Sequence, residues 1–289
     1  MVPFAYLEPA SLDEALALLA QHGEAGKLIA GGTGLVNLMK QRLVRPDFVI
    51  GLRAITALAD INEKDGLRIG ALATIRSLEV SELVRRRAPL LAEVCGHVGT
   101  VRVRSMATLG GAMAHGDPNL DTPPALIAMD GQIVARSRRG KRTVPVEEFF
   151  TGYFETVLAQ DEIVTELLIP DQPAGSGTAF LKFLPATQDD YATVSVAARI
   201  ALGTGGAVTE ARVALGAAAM VPVRARAVEA ALAGKASDEK TIRDAAPLVV
   251  HAIDPIADFR GSAEYKREMA VVHVRRALAE AAAKAKKAH

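Results

Sequence analysis

Apolar residues alternate between helical and strand-like spacing along the first half of the chain. Leu12, Ala15, Leu16 and Leu19 share one helical face, and Ser11 with Glu14 forms a capping box, so residues 12–22 are predicted as a helix. A short strand at 27–30 stops at Gly31-Gly32-Thr33-Gly34, and 35–42 returns to helical spacing. Residues 47–51 form another strand. In 58–71, Lys64-Asp65-Gly66 is the turn of a hairpin whose Leu67, Ile69 and Ala71 point inward. Thr74 caps a helix through Val84, and Pro89 opens another through Val98. Pro123-Pro124 starts a helix to Met129. Strands at 132–137 and 142–146 pair across Arg138 to Lys141. Residues 149–158 are predicted helical, and 162–169 a strand stopped by Pro170.

Residues 171–177, rich in Pro, Gly and Ser, read as a linker. Beyond it come strands at 179–183, 193–202 and 208–215, then helices near 224–233, 239–251 and 262–284. A three-stranded antiparallel sheet carrying a helical layer makes this half an α+β unit.

Within the first half, the stretch 98–126 breaks both periods. It gathers Gly110-Gly111, Thr108, His115, Asp117, Asp121 and three prolines between apolar runs. It is read as a loop that brings backbone close to a polar ligand, because glycine removes the Cβ that would block the approach. The 31–34 loop, between a strand and a helix, is a second such place, with free backbone N–H groups at the helix start. Two cradles of this kind suit a diphosphate, while each taken alone also suits an ordinary tight turn.

Composition narrows the chemistry. The 289 residues suit about two domains, half of them are hydrophobic, and the net charge is +1. Nothing resembles the clustered basic face or stacked aromatics of a nucleic-acid binder. No apolar run approaches the ~20 residues of a membrane span. Met1-Val2-Pro3-Phe4 lacks the charge and apolar core of a secretory leader. With Cys95 alone, the chain forms no internal disulfide and holds no four-thiolate iron–sulfur cluster; Cys95 reads as a buried small hydrophobe. Zinc-hydrolase, P-loop, Rossmann and nucleophile-elbow motifs are missing.

Ala30-Gly31-Gly32-Thr33, Thr108-Leu109-Gly110-Gly111 and Ala114-His115-Gly116-Asp117-Pro118 resemble the two flavin-binding signatures of the FAD (medium) subunits of molybdenum hydroxylases. The likeness is greatest to the carbon monoxide dehydrogenase group, with xanthine dehydrogenase related. Phe149-Phe150-Thr151-Gly152-Tyr153, Asp161-Glu162-Ile163, Lys182-Phe183, Asp190-Tyr191-Ala192-Thr193, Tyr265-Lys266-Arg267 and Arg275-Arg276-Ala277-Leu278 extend it in order along nearly the whole chain.

The resemblance implies an α+β fold: a two-subdomain FAD-binding unit of PCMH type (1–60 and 61–172), then a C-terminal domain of antiparallel sheet plus helices (178–289). It implies non-covalent FAD on this chain. The molybdenum cofactor would lie on a large partner subunit and [2Fe-2S] clusters on a small one. The assembly would be a dimer of heterotrimers in the cytoplasm or held at the inner membrane face, passing electrons through FAD to an external acceptor. Ile29, Ala30, Gly31, Gly32, Thr33, Gly34, Leu35 and Val36 would line the diphosphate. Thr108, Leu109, Gly110, Gly111 and Ala112 would close the other side. Asp121, eleven residues after Gly110, would bond the flavin nucleotide. Lys182 matches a basic residue near the cofactor, and Tyr191 an aromatic that covers the isoalloxazine ring. Val98, His115, Asp117 and Ile163 complete the expected cofactor site, and no metal ligand is expected.

Plainer roles stand beside these: His115 as a brace for the loop, Asp121 as an N-cap, Tyr191 as sheet packing. Departures from the family pattern are Ala107 for Gly, Leu109 for Ile, Gly34 for Asp or Ser, and Pro185-Ala186-Thr187-Gln188 for a basic run. Gly34 and the 185–188 run leave open a cofactor-free scaffold of the same fold. A stand-alone flavin oxidase needs a His or Cys tether, and the first loop carries neither.

Overall fold

In the computed structural model, which describes residues 1–185, 187 and 190–288, the described residues form four sheets. The first is parallel: β1 (Ala5–Leu7), β2 (Gly26–Ile29) and β3 (Phe48–Gly51), in the order β1-β3-β2. Helix α1 (Leu12–His22) is capped by the Ser11 side chain, as its sequence predicts, and buries Ala15, Leu16 and Leu19. Helix α2 (Leu35–Lys40) follows the glycine loop and ends earlier than predicted, where Arg42 turns to φ 61°.

The second sheet is antiparallel. It joins β4 (Ile61–Glu63), β5 (Leu67–Gly70), β6 (Gln132–Ser137), β7 (Gly140–Pro145) and β10 (Ile163–Ile169) in the order β4-β5-β10-β6-β7. Asp65 and Gly66 both take positive φ (54° and 98°), the geometry of a tight hairpin turn, and Leu67, Ile69 and Ala71 are buried as predicted. A small hairpin, β8 (Phe150–Gly152) with β9 (Glu155–Thr156), stands apart. Here the expectation of a helix over 149–158 fails. Gly152 and the positive φ of Phe154 (56°) turn the chain back, and Phe149 is buried in the core.

Six short helices sit between β5 and β6. The single helix expected from Thr74 to Val84 is two: α3 (Ile75–Val80), capped by Thr74, and α4 (Glu82–Arg87), capped by Ser81. The extended backbone of Ser81 makes the break (φ −66°, ψ 121°). Helix α5 (Pro89–Gly96) starts at its proline. The stretch 98–126, expected as a loop, is largely helical: α6 (Val101–Met106), α7 (Leu109–His115) and the start of α8 (Thr122–Ala128). Thr100 and Thr108 cap the first two, so Thr108, which counted toward a loop, is a helix start.

The C-terminal half is an antiparallel sheet of β11 (Ser176–Phe183), β12 (Val194–Leu202), β13 (Val208–Gly216) and a short β14 (Val223–Arg224), one strand more than expected. Helices α9 (Arg226–Leu232) and α10 (Glu239–Ala245) follow. Pro247, which lacks an amide donor, lies in the 3-10 turn that succeeds α10. The long α11 (Ala263–Ala288) lays Ala270, Val274, Ala277, Leu278 and Ala281 on the sheet.

Candidate functional site

Two signatures far apart in the chain touch in the fold. A Cβ added at Gly31 would lie 1.8 Å from the Met106 carbonyl oxygen, and one at Gly111 would lie 2.7 Å from Thr108 Oγ1 and 3.6 Å from Ala30 Cβ. The loop after β2 therefore rests on the link between α6 and α7. Thr74 and Thr108 form an antiparallel bridge, and Ile75 N–H donates to the Ala107 carbonyl at 2.9 Å. Each threonine caps its own helix, so one bridge locks two helix starts together.

The two glycine segments differ in what their amides do. Outside helices and strands, none of the amides of residues 31–34 donates to another described residue. Those of the second segment are spent: Leu109 N–H on the Ala73 carbonyl and Gly110 N–H on that of Ala71, both at 2.9 Å, and Gly111 N–H on Thr108 Oγ1 at 3.2 Å. The expectation of two backbone cradles is thus corrected to one. Gly110 serves packing, since a Cβ there would come within 2.4 Å of the Ala71 Cβ. Thr108 keeps its hydroxyl proton for another acceptor.

Below the second segment, Asp121 and Lys182 meet at 2.7 Å between Oδ2 and Nζ, with side chains only 6% and 3% exposed. Lys182 also donates to the His97 carbonyl at 3.0 Å. Asp121 makes no cap bond to α8, so its pairing is tertiary. Its Oδ1 is buried without a partner among the described residues. Burial pushes the Asp121 carboxyl up to about 6, against the pull of Lys182.

His115 packs its ring over Gly34, where a Cβ would lie 2.8 Å from Nε2, and against Phe154 at 5.1 Å between centroids. It braces the loop, and burial holds its pKa below the ordinary histidine value, favouring the neutral ring. Asp117 is buried and accepts from Asn119 N–H at 2.9 Å and Asn119 Nδ2 at 3.0 Å. Burial, then the nearby Asp117 carboxylate, push the Tyr191 phenol up to about 12. Tyr191 precedes β12 and is 44% exposed, so it is not a sheet-packing residue.

Of the remaining expected residues, Ile29, Leu35, Val36 and Ala112 are half-buried around the two segments. Val36 N–H closes the loop onto the Gly32 carbonyl at 3.0 Å. Val98 lies between His97, held by Lys182, and Gly99, whose carbonyl accepts from Arg104 at 2.8 Å. Ile163 is a core side chain in the cluster that Ala30 borders. Ala186 and Gln188 of the divergent 185–188 run lie outside the described residues.

Sequence reasoning missed the Met106 carbonyl, Ala71, Phe154 and the Lys182–Asp121 pair. Backbone surfaces and partners sixty residues apart leave no local pattern. The residues fit FAD in two respects: unspent amides at 31–34 suit an anion, and the orphaned Asp121 Oδ1 suits a hydroxyl donor.

Comparison with known proteins agrees. The family described as FAD binding domain in molybdopterin dehydrogenase matches residues 2–172, and CO dehydrogenase flavoprotein C-terminal domain matches 179–281. The carbon monoxide dehydrogenase medium chain of Hydrogenophaga pseudoflava is 36% identical over 96% of this chain and 97% of its own. The 6-hydroxypseudooxynicotine dehydrogenase complex subunit alpha of Paenarthrobacter nicotinovorans is 31% identical over 96% and 94%. Among solved structures, carbon monoxide dehydrogenase from Hydrogenophaga pseudoflava, in a form lacking the Mo-pyranopterin moiety, superposes with a TM-score of 0.95 at 39% identity, covering 98% and 99% of the two chains. With both domains in order and matched over nearly their full length, the chain belongs to the FAD-binding family of the molybdopterin dehydrogenases.

Proposed function

We propose that this chain is the electron-exit subunit of a molybdenum hydroxylase complex. It would take electrons from [2Fe-2S] clusters on a small partner and pass them through non-covalent FAD to an external acceptor. The molybdenum cofactor and the oxidised substrate would belong to a large partner, in a dimer of heterotrimers. The observation that carries this reading is the presence in one chain of amides at 31–34 with no acceptor among the described residues and of a buried, half-satisfied Asp121. Bound FAD supplies two-electron redox chemistry at its isoalloxazine ring.

This chain's residues bind and orient. The amides of 31–34 and the Thr33 hydroxyl hold the diphosphate, Thr108 adds its hydroxyl, and Asp121 Oδ1 accepts from a hydroxyl of the nucleotide. Tyr191 covers the ring and excludes water. The relatives' names support the division of labour: a carbon monoxide dehydrogenase and a 6-hydroxypseudooxynicotine dehydrogenase share this flavoprotein fold while naming unrelated substrates. Gly34 does not favour a cofactor-free scaffold, because the His115 ring occupies the space a side chain would need.

The test is a visible spectrum of the chain purified alone and with its copurifying partners. Flavin near one per chain in either preparation is expected. Its absence from both would end the reading.

A further inference from the structure

Arg260, in a turn of the C-terminal half, reaches the segment that carries Tyr191. Its backbone is fixed first. Asp258 Oδ1 accepts from the Arg260 amide at 2.8 Å, Asp258 and Gly261 exchange backbone bonds of 3.1 Å, and Asp258 Oδ2 pairs with the buried Lys266 at 2.8 Å. The guanidinium then lies between two rings, with Cζ 4.2 Å from the Phe259 centroid and 5.8 Å from that of Tyr191. Nη2 donates to Asp190 Oδ1 at 2.6 Å, and that same oxygen accepts from the Tyr191 amide at 2.7 Å.

Tyr191 is therefore held at its backbone by the Asp190–Arg260 pair and faced at its ring by the same guanidinium. The residue is 44% exposed, so apolar packing holds it weakly and its contacts with Asp190 and Arg260 set its pose. The Arg260 side chain is 15% exposed, which makes its charge-assisted bond stronger than a surface pair.

We propose that Arg260 is a positioning residue for Tyr191. Through Asp190 and the ring face it fixes where the phenol lies and so how closely an external acceptor approaches the flavin. The inference rests on the reading of Tyr191 as the aromatic that covers the isoalloxazine ring.

The experiment compares the purified complex with its Arg260→Gln and Asp190→Asn variants, the second an isosteric change at the other end of the same bond. FAD content is expected to equal wild type. Flavin fluorescence is expected to rise several-fold as the quenching phenol loosens, and reoxidation after dithionite reduction to shift for both oxygen and a bulky quinone. Arg260→Lys, which keeps the charge, is expected to fall between. Full FAD with unchanged fluorescence and reoxidation in both variants would overturn the proposal.

A wild-type complex without flavin would instead defeat the proposed function. Arg260 is then still read from tyrosine emission of the chain purified alone, which has four Tyr and no Trp. Acrylamide quenching should increase in Arg260→Gln, and that increase should vanish in a Tyr191→Phe background. An equal increase in both backgrounds would overturn the assignment.

Discussion

Lys182, on β11 of the C-terminal sheet, donates to Asp121 at the start of α8 over 2.7 Å, and both side chains are almost wholly withdrawn from solvent. This buried ion pair thus joins the two halves of the molecule. Because Lys182 also holds the His97 carbonyl, its three-donor head ties α5, α8 and β11 to a single point.

Removing one partner of that pair should cost more than removing both. Lys182→Met leaves a buried carboxylate without its counter-charge, an expected loss of about 3–5 kcal/mol in unfolding free energy. Lys182→Met combined with Asp121→Leu should recover much of it in the denaturant midpoint, while flavin content stays low because Asp121 is gone. Equal losses in the single and double variants would show that the pair acts only through packing.

The pH dependence of stability has a definite sign at Asp121. Its folded pKa is raised to about 6 from 3.8, so between those values the folded state binds more protons than the unfolded one. This group favours folding fully below about pH 3.8, and that contribution is lost as pH rises toward 6. Glu162, lowered chiefly by its bond from Arg142, acts the opposite way, and its stabilisation is lost as pH falls. Asp121→Asn should therefore gain stability relative to wild type as pH rises from about 4 to 6. Parallel stability curves for the two proteins across that window would contradict the assignment.

Gly34 and His115 should behave as a coupled pair. Gly34→Ala drives a methyl to 2.8 Å from the imidazole, so the ring must swing out and the loop loosen. Flavin content of the purified complex should drop and return in the Gly34→Ala/His115→Ala double variant. Gly31→Ala has no such rescue, because its obstacle is the Met106 backbone carbonyl at 1.8 Å. An additive double variant at 34 and 115 would dissociate the two residues.

Gly111→Val tests the wall between the segments. Its branched Cβ would press on Thr108 Oγ1 at 2.7 Å and face Ala30 at 3.6 Å, pushing the cap of α7 and the first loop apart. Flavin is expected to be lost while the far-UV helix and sheet signals remain. Normal flavin content would remove this junction from the site.

Much of this molecule was legible in the pattern of its residues. The capping box at Ser11, the hairpin turn at Asp65-Gly66 and the alternating strands of the C-terminal sheet act through neighbours a few positions apart, where local propensity and period decide. So were the two glycine signatures. Residues 149–158 were misread because a positive φ at Phe154 reverses a stretch with helical-looking apolar spacing. The 98–126 stretch was misread because Thr and Gly signal turns, whereas here Thr100 and Thr108 cap helices and Gly110 lets one helix reach Ala71.

The sequence by itself determined which residues could form a cofactor cradle, since glycine spacing and threonine placement are local properties of the backbone. Only the tertiary structure decided that the amides of 31–34 find no acceptor among the described residues while those of 109–111 are consumed, and that His115 packs on Gly34. It alone paired Asp121 with Lys182, sixty-one residues away. Hydrogen-bond partners and close approaches across such distances are set by how sheets and helices pack, and no periodicity along the chain encodes them.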